Sequence, residues 1–321
     1  MNQKAAQLDR VNFSITKHCN LHCRMCDYKK MHSRTKDFPL DRVKAIIQEA
    51  TGLGMKVLEL TGGEPMARRD VYEIISYAHS LGLMIAMATN GTLINQAVAK
   101  KLVEAGLTSV SLSLEGSEQL NDHIRGRGNY QKALNAVRGF LSCRPEFPEL
   151  EVKVGITLSK YNYQSIISLS KYLIEEVGVT GVSINPFNSV MLAPDKRLAG
   201  EKEFNISAEL MPDFSRELER LIEYCKSMPD KMPSPIYLSR IPDYFMGKKL
   251  IPSGGCKVPQ SFCGISVTGW VFSCWHSAPI GNLFQQSLTD ILNSEAQRKF
   301  CDLALQSKCP GCLSSCYPEL Y

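Results

Sequence analysis

The sequence predicts an α/β fold: a parallel (β/α)6 succession, forming either an open, incomplete barrel or a doubly wound sheet, with a small cysteine-rich C-terminal domain. Three observations carry this expectation. Between residues 11 and about 187, short β-branched runs alternate with stretches of helical periodicity. The strand–helix units number six, two short of a closed eight-stranded barrel. The twelve cysteines of the 321-residue chain crowd its two ends, three within residues 19–26 and seven beyond residue 255.

The first strand is expected over 11–15. A helix over 40–49 puts Val43, Ile46 and Ile47 on one face. A strand over 57–60 and a helix over 71–81 follow, then a strand over 84–88 and a helix over 94–105. A fourth strand, 109–114, precedes a helix over 130–141. The last two strands, 152–158 and 181–184, flank a helix over about 163–175. Beyond 188 the rhythm breaks: LAPDKRLAGEKEFN reads as a polar loop and SAELMPDFSRELERLIEYCKSM as a helix. From Gly254 helical periodicity mostly disappears. There Gly269 separates strand-like 265–268 from 270–272 as a hairpin turn. The expected division is residues 1–200 for the α/β core, 201–250 for a helical linker and 251–321 for a tail held together by metal.

Composition narrows the function classes. With 44% hydrophobic and 21% charged residues, the chain is an ordinary globular one. A formal charge of +5 is too mild to imply nucleic acid. No apolar run has the length of a signal peptide or a membrane span, so a cytoplasmic protein with no membrane partner is expected. In a reducing cytosol, clustered cysteines read as metal ligands rather than as a disulfide framework.

Cys19, Cys23 and Cys26 share one tight loop directly after the first strand, where α/β folds build their sites. Three thiolates suit an iron–sulfur cluster with one open iron, or a zinc ion completed by a fourth group. This CxxxCxxC loop resembles the hallmark of the radical SAM superfamily. Further segments fit the resemblance: Thr61-Gly62-Gly63-Glu64-Pro65 ends the second strand, Thr89-Asn90-Gly91 ends the third, and Ser113-Leu114-Glu115-Gly116 with His123-Ile124-Arg125-Gly126 follows the fourth. Glu115 stands where the family usually has Asp, and Met25 where an aromatic usually precedes the third cysteine.

The resemblance implies a partial (β/α)6 TIM-like barrel. It further implies a [4Fe-4S] cluster held by Cys19, Cys23, Cys26 and S-adenosylmethionine (SAM). Gly62, Gly63, Glu64, Asn90, Ser113 and Arg125 would bind SAM, and Pro186 would approach its adenine. Reductive cleavage would give a 5′-deoxyadenosyl radical, with a flavodoxin- or ferredoxin-like electron donor. The basic run Lys29, Lys30, Arg34, Lys36 just after the cluster loop reads first as a solvated face, and second as a contact for an anionic substrate or the electron donor.

In the tail, Cys256, Gly269 and Cys274 are followed by Cys309-Pro310-Gly311-Cys312 and Cys316. This spacing resembles the SPASM and twitch domains of radical SAM enzymes, although the five-residue step of a full SPASM pattern is missing. One auxiliary [4Fe-4S] cluster is therefore expected, from Cys256 and Cys274 with two of Cys309, Cys312 and Cys316, or with Cys263 in place of one. Cys263 is otherwise expected near the active-site mouth as a hydrogen-atom donor. Trp275 and His276 are read either as pocket-lining or as packing, and Cys143, Cys225 and Cys301 as packing. The reaction classes implied are oxidation, crosslinking and epimerisation, on a ribosomal peptide or protein or on a sugar or aminocyclitol. A non-catalytic zinc-binding scaffold is the alternative.

Overall fold

The computed structural model describes residues 8–252 and 254–313, so Cys316 lies outside it. Six strands run parallel in chain order: β1 (Arg10–Thr16), β2 (Val57–Gly62), β3 (Met84–Thr89), β4 (Ser109–Ser113), β5 (Glu151–Leu158) and β6 (Gly181–Pro186). A single helical turn, α1 (Tyr28–Met31), and then α2 (Leu40–Gly52) follow β1. Next come α3 (Val71–Ser80), α4 (Gln96–Glu104), α5 (Glu118–Arg125), α6 (Asn129–Leu141) and α7 (Ile166–Lys171). The last expected barrel helix is split, with α7 continued by a π-helical Tyr172–Val177. β6 stands at one edge of the sheet, which stays open.

Alternation along the strands sorts the two faces. Val11, Phe13, Leu58, Leu60, Ile85, Met87, Val110 and Leu112 are all buried, sharing one core with Val43, Ile46 and Ile47 of α2 and Ile74 and Ile75 of α3. The opposite, concave face carries Asn12, Glu59, Thr61, Ser111, Ser113, Gly155, Ser183 and Asn185. A Cβ built on Gly155 would touch the hydroxyls of Ser111 and Ser183 at 3.2 and 3.5 Å, which places the three side by side. Ala88 is exposed although β3 lies in the middle of the sheet, so this face is an open cleft and not a packed barrel interior.

Two expectations about the remainder fail. The stretch read as a polar loop holds α8 (Arg197–Phe204), whose burial rests on only Gly200 and Phe204, too few to give a visible period. It is followed by α9 (Met211–Ser227), as expected, and by the short α10 (Pro235–Ser239) and α11 (Ile241–Phe245). The tail is also helical, with α12 (Leu288–Leu292) and α13 (Glu295–Leu305) capped by Ser287 and Ser294.

Nor does the tail stand on metal alone. The hairpin of β7 (Phe262–Ile265) and β8 (Trp270–Phe272), turning at Gly269 as expected, extends the core sheet because β7 pairs with β1 in parallel. β9 (Gly281–Asn282) completes nine strands among the described residues. Leu288, Ile291 and Leu292 join the main core, and Thr289 N donates to Glu49 Oε1 of α2 at 2.7 Å.

Candidate active site

The loop after β1 is fastened on three sides. Gly63 N donates to Thr16 O at 2.8 Å and Glu64 N to His18 O at 2.7 Å, tying it to the end of β2. Asn90 Nδ2, beyond β3, donates to Asn20 Oδ1 at 3.0 Å and stands 4.0 Å from Cys19 Sγ. Arg24 N donates to Ile124 O of α5 at 2.9 Å. The close approach needs glycine: a Cβ on Gly62 would lie 2.4 Å from Thr16 O, and one on Gly63 would lie 2.3 Å from His18 O.

Cys19, Cys23 and Cys26 are half-buried. Burial pushes all three thiols up, Cys23 to about 11, with the neighbouring Arg125 pulling the other way on each. The neighbouring thiols add to the rise at Cys23 and Cys26. Sequestered thiols like these become ligands when a soft metal centre takes their protons, and three of them on one loop fit a cluster with one open iron.

Glu64 is 1% exposed. Its Oε1 accepts from Thr89 Oγ1 at 2.6 Å and Met66 N at 3.1 Å, and its Oε2 accepts from Asn90 N at 2.8 Å. Burial raises its pKa against these three bonds, which hold the carboxylate in one orientation. Arg125 donates through Nε and Nη2 to Glu115 Oε1, and Glu115 Oε2 accepts from Thr157 N at 2.7 Å. Glu115 is fully buried, and the extra methylene relative to Asp lets it hold Arg125 and β5 together. Ser113 ends β4 on the concave face, opposite Gly155.

Along that face Arg10 Nη1 meets Glu59 Oε1 at 2.6 Å, and Asn12 Nδ2 donates to Glu59 Oε2 at 2.9 Å. Trp275 lies over Gly264, whose added Cβ would stand 2.9 Å from the indole, and Gly264 is the register partner of Asn12. The tail thus walls the cleft on the β1 side. At the β6 end, His276 and Cys312 line a cavity of about 520 Å³ with Phe187 and Tyr244.

Sequence reasoning missed the aromatic roof beside the loop. Met25, Ile124, Phe187, Leu192 and Phe204 form a separate buried cluster, with Tyr161 edge-on to Phe204 and His123. Met25, the departure from the usual aromatic, fills part of that roof. The polar cleft did leave a signal: the serines of β4 alternate strictly with buried apolar residues.

The tail cysteines are less gathered. Cys256 is raised by burial and by the neighbouring Cys309 thiol. Cys274 Sγ accepts from His276 N at 3.4 Å. Among the described residues, those of the cluster loop included, no three His, Cys, Asp or Glu side chains converge to hold a single metal ion. Cys263 corrects an expectation. It is fully buried in β7 beside Val11, near the strand end opposite the cluster loop, and burial raises its pKa strongly. It is a core residue, neither at the mouth nor placed to give up a hydrogen atom. Cys143 and Cys225 are buried in the same core. Cys301 accepts from Gln297 Nε2 and donates to Pro259 O, both at 3.4 Å.

The family description "Radical SAM superfamily" matches residues 13–172, and "Iron-sulfur cluster-binding domain", SPASM, matches residues 256–316. The chain is a radical SAM protein with a C-terminal SPASM domain. Its cofactors are accordingly a [4Fe-4S] cluster and SAM, with auxiliary iron–sulfur in the tail, and the zinc-scaffold reading is set aside.

The chain is 27% identical to an AdoMet-dependent heme synthase of Methanosarcina barkeri over 94% of its own length and 87% of the relative's. It is 28% identical to the mycofactocin maturase MftC of Mycolicibacterium smegmatis, over 46% and 37% of the two chains. Streptococcus suis SuiB, solved with its precursor peptide SuiA, superposes with a TM-score of 0.68 at 16% identity, covering 98% of this chain and 73% of that one. No helix among the described residues is long and apolar enough to cross a membrane.

Proposed function

We propose that this radical SAM protein is an oxidoreductase acting on a polar peptide or sugar substrate held in the concave cleft. Cys19, Cys23 and Cys26 hold the radical-generating cluster. Gly62, Gly63, Glu64, Asn90, Ser113 and Arg125 hold SAM, and Cys256 and Cys274 with two of Cys309, Cys312 and Cys316 supply the four ligands of one auxiliary [4Fe-4S] cluster. Cluster and SAM together supply a 5′-deoxyadenosyl radical; the chain supplies orientation and exclusion of water.

The Glu64 carboxylate, aligned by Thr89 and Asn90, suits an ammonium group. Arg125, anchored by Glu115, lies close enough to Glu64 and the three thiols to offer a fixed cation to a carboxylate beside them. The observation that carries the substrate reading is the open, hydroxyl-lined cleft around Ala88, Ser111 and Ser183. Such a surface favours a ligand with many hydrogen-bonding groups. Oxidation is favoured over epimerisation because the thiol that would return a hydrogen atom, Cys263, is sealed in the core.

The likeness to heme synthase over nearly the whole chain supports a second substrate, a porphyrin, for the same oxidative chemistry. The test is anaerobic reconstitution with iron and sulfide, reduction, and measurement of 5′-deoxyadenosine from SAM. Mass spectrometry of host peptides and metabolites with and without the protein would then find the substrate. Absence of deoxyadenosine would sink the proposal. A product absorbing as a porphyrin would decide for the second substrate.

A further inference from the structure

We infer that Gln297 is a positioning residue for the auxiliary cluster: its side-chain amide ties together the chain segments that carry Cys256 and Cys274. The inference rests on the proposed ligand roles of those two cysteines. Of the residues of α13, only Gln297 and Ala304 are buried, and neither belongs to the main apolar core. Polar contacts therefore decide where this helix lies. Gln297, Cys301 and Ala304 follow at steps of four and three residues, which puts them on one face.

That face meets both segments. Gln297 is 4% exposed and Ser273, next to Cys274, is fully buried. Gln297 Oε1 accepts from Ser273 Oγ. Its Nε2 donates to Pro259 O, three residues past Cys256, at 2.7 Å, and to Cys301 Sγ at 3.4 Å. Cys301 Sγ in turn donates to Pro259 O at 3.4 Å. Two turns along the helix from Gln297, Ala304 O accepts from Cys256 N at 2.9 Å. The two backbones lie so close there that a Cβ on Gly255 would stand 2.1 Å from Leu305 O. Lys308 N donates to Leu303 O at 2.8 Å, which turns the chain at the end of α13 just before Cys309, and the Cys309 thiol neighbours that of Cys256.

An amide is what this place demands. With two N–H donors and one carbonyl, it makes every one of these contacts at once. A carboxylate would set oxygen against Pro259 O, and an apolar side chain would leave the buried Ser273 hydroxyl without its acceptor. Among the described residues no three of the tail thiols converge. What Gln297 fixes is the backbone from which Cys256 and Cys274 reach a shared cluster, the part played by groups that orient metal ligands from behind.

The test uses the full chain with Cys19, Cys23 and Cys26 replaced by Ala, so that only auxiliary iron is read after anaerobic reconstitution. In this background Gln297→Leu removes all three side-chain contacts, Gln297→Glu reverses the one to Pro259 O, and Ser273→Ala removes one alone. Ser294→Ala is the control: it takes away the hydroxyl that caps α13 by accepting from Gln297 N, and leaves the amide in place. Iron release to excess EDTA should be about tenfold faster or more in both Gln297 variants, and faster by a smaller factor in Ser273→Ala. The electron paramagnetic resonance signal of the dithionite-reduced cluster should shift or split in all three. Ser294→Ala should release iron within about twofold of the background and keep its signal. Adding Ser273→Ala to Gln297→Leu should speed release no further, because both break the same bond. Gln297 variants that release iron no faster than Ser294→Ala, or faster with an unaltered signal, would overturn the inference, since a helix that merely steadies the tail gives those results. If Gln297→Leu does not fold, Ser273→Ala decides by its signal: a shift supports the inference and an unaltered signal overturns it. No iron in the background itself would remove the proposed auxiliary ligands, and the inference with them.

Discussion

The loop bearing Cys19, Cys23 and Cys26 is bonded to the ends of β2 and β3 and to α5, through contacts of 2.7 to 3.0 Å. The described tail cysteines sit on segments fixed one at a time: Cys256 N donates to Ala304 O and Cys312 N to Leu250 O, both at 2.9 Å. In the first region the fold fastens the backbone of the loop that carries the three proposed ligands on three sides. In the second, the fold supplies a frame, with β7 on β1 and α12 on the core, and leaves the cysteines to be drawn together by what they bind. A preorganised site belongs where a small ligand must be aligned, and a looser one suffices where four thiolates enclose a cluster.

The largest effect that would break this comparison is on SAM cleavage. Cys23→Ala should abolish deoxyadenosine formation, by about a thousandfold or more, whereas Cys256→Ala should leave cleavage within about tenfold and stop substrate turnover. Equal loss in both variants would mean that the tail is needed for radical formation itself. The iron count sharpens the contrast: with Cys19, Cys23 and Cys26 all replaced by Ala, about four irons per chain should remain. About eight remaining would point to two auxiliary clusters.

Gly63→Ala tests the preorganisation directly. A Cβ 2.3 Å from His18 O must push the loop off β2, at a cost of about 1–3 kcal/mol. Thermal unfolding should fall accordingly, and iron should be lost from the front site before the tail. Removing one partner of the buried pair, as in Glu115→Ala, should cost about 3–5 kcal/mol, read by denaturant unfolding, because Arg125 is left without its carboxylate. Cys263→Ala should cost about 1 kcal/mol and leave iron content and turnover per folded molecule unchanged. A turnover defect there would revive its reading as a hydrogen donor.

The smallest effect lies outside both regions. Asp213 is held down to about 2 by Arg216, Gln164 and Tyr163. A carboxylate with a depressed pKa contributes stability above its unfolded value that is lost as pH falls through the folded one. Asp213→Asn should therefore be slightly less stable than wild type near neutrality and lose less stability between about pH 4 and 2, so that the two converge at lower pH.

Much of the fold was legible because six strands with buried β-branched residues on one face carry a strong local signal, and β2, β4 and β5 lie within a residue or two of where periodicity put them. The cysteine loop and its glycines were legible because their spacing is local. Helix α8 was not, since two buried residues make no period. The tail helices were not, since serine caps and four apolar residues were outweighed by the cysteines around them.

By itself the sequence determined the α/β succession and the position of the three-cysteine loop after β1, both carried by patterns within about a dozen residues, and the presence of a second cysteine group between residues 256 and 316. Only the tertiary structure decided that Cys263 is core, that Glu115 anchors Arg125, that the cleft is open at Ala88 and that Asp27 of the cluster loop pairs with Lys196 at the start of α8. The physical reason is register. Which face Cys263 shares with Val11, and which lysine Asp27 meets, depend on how strands and helices far apart in the chain are laid side by side.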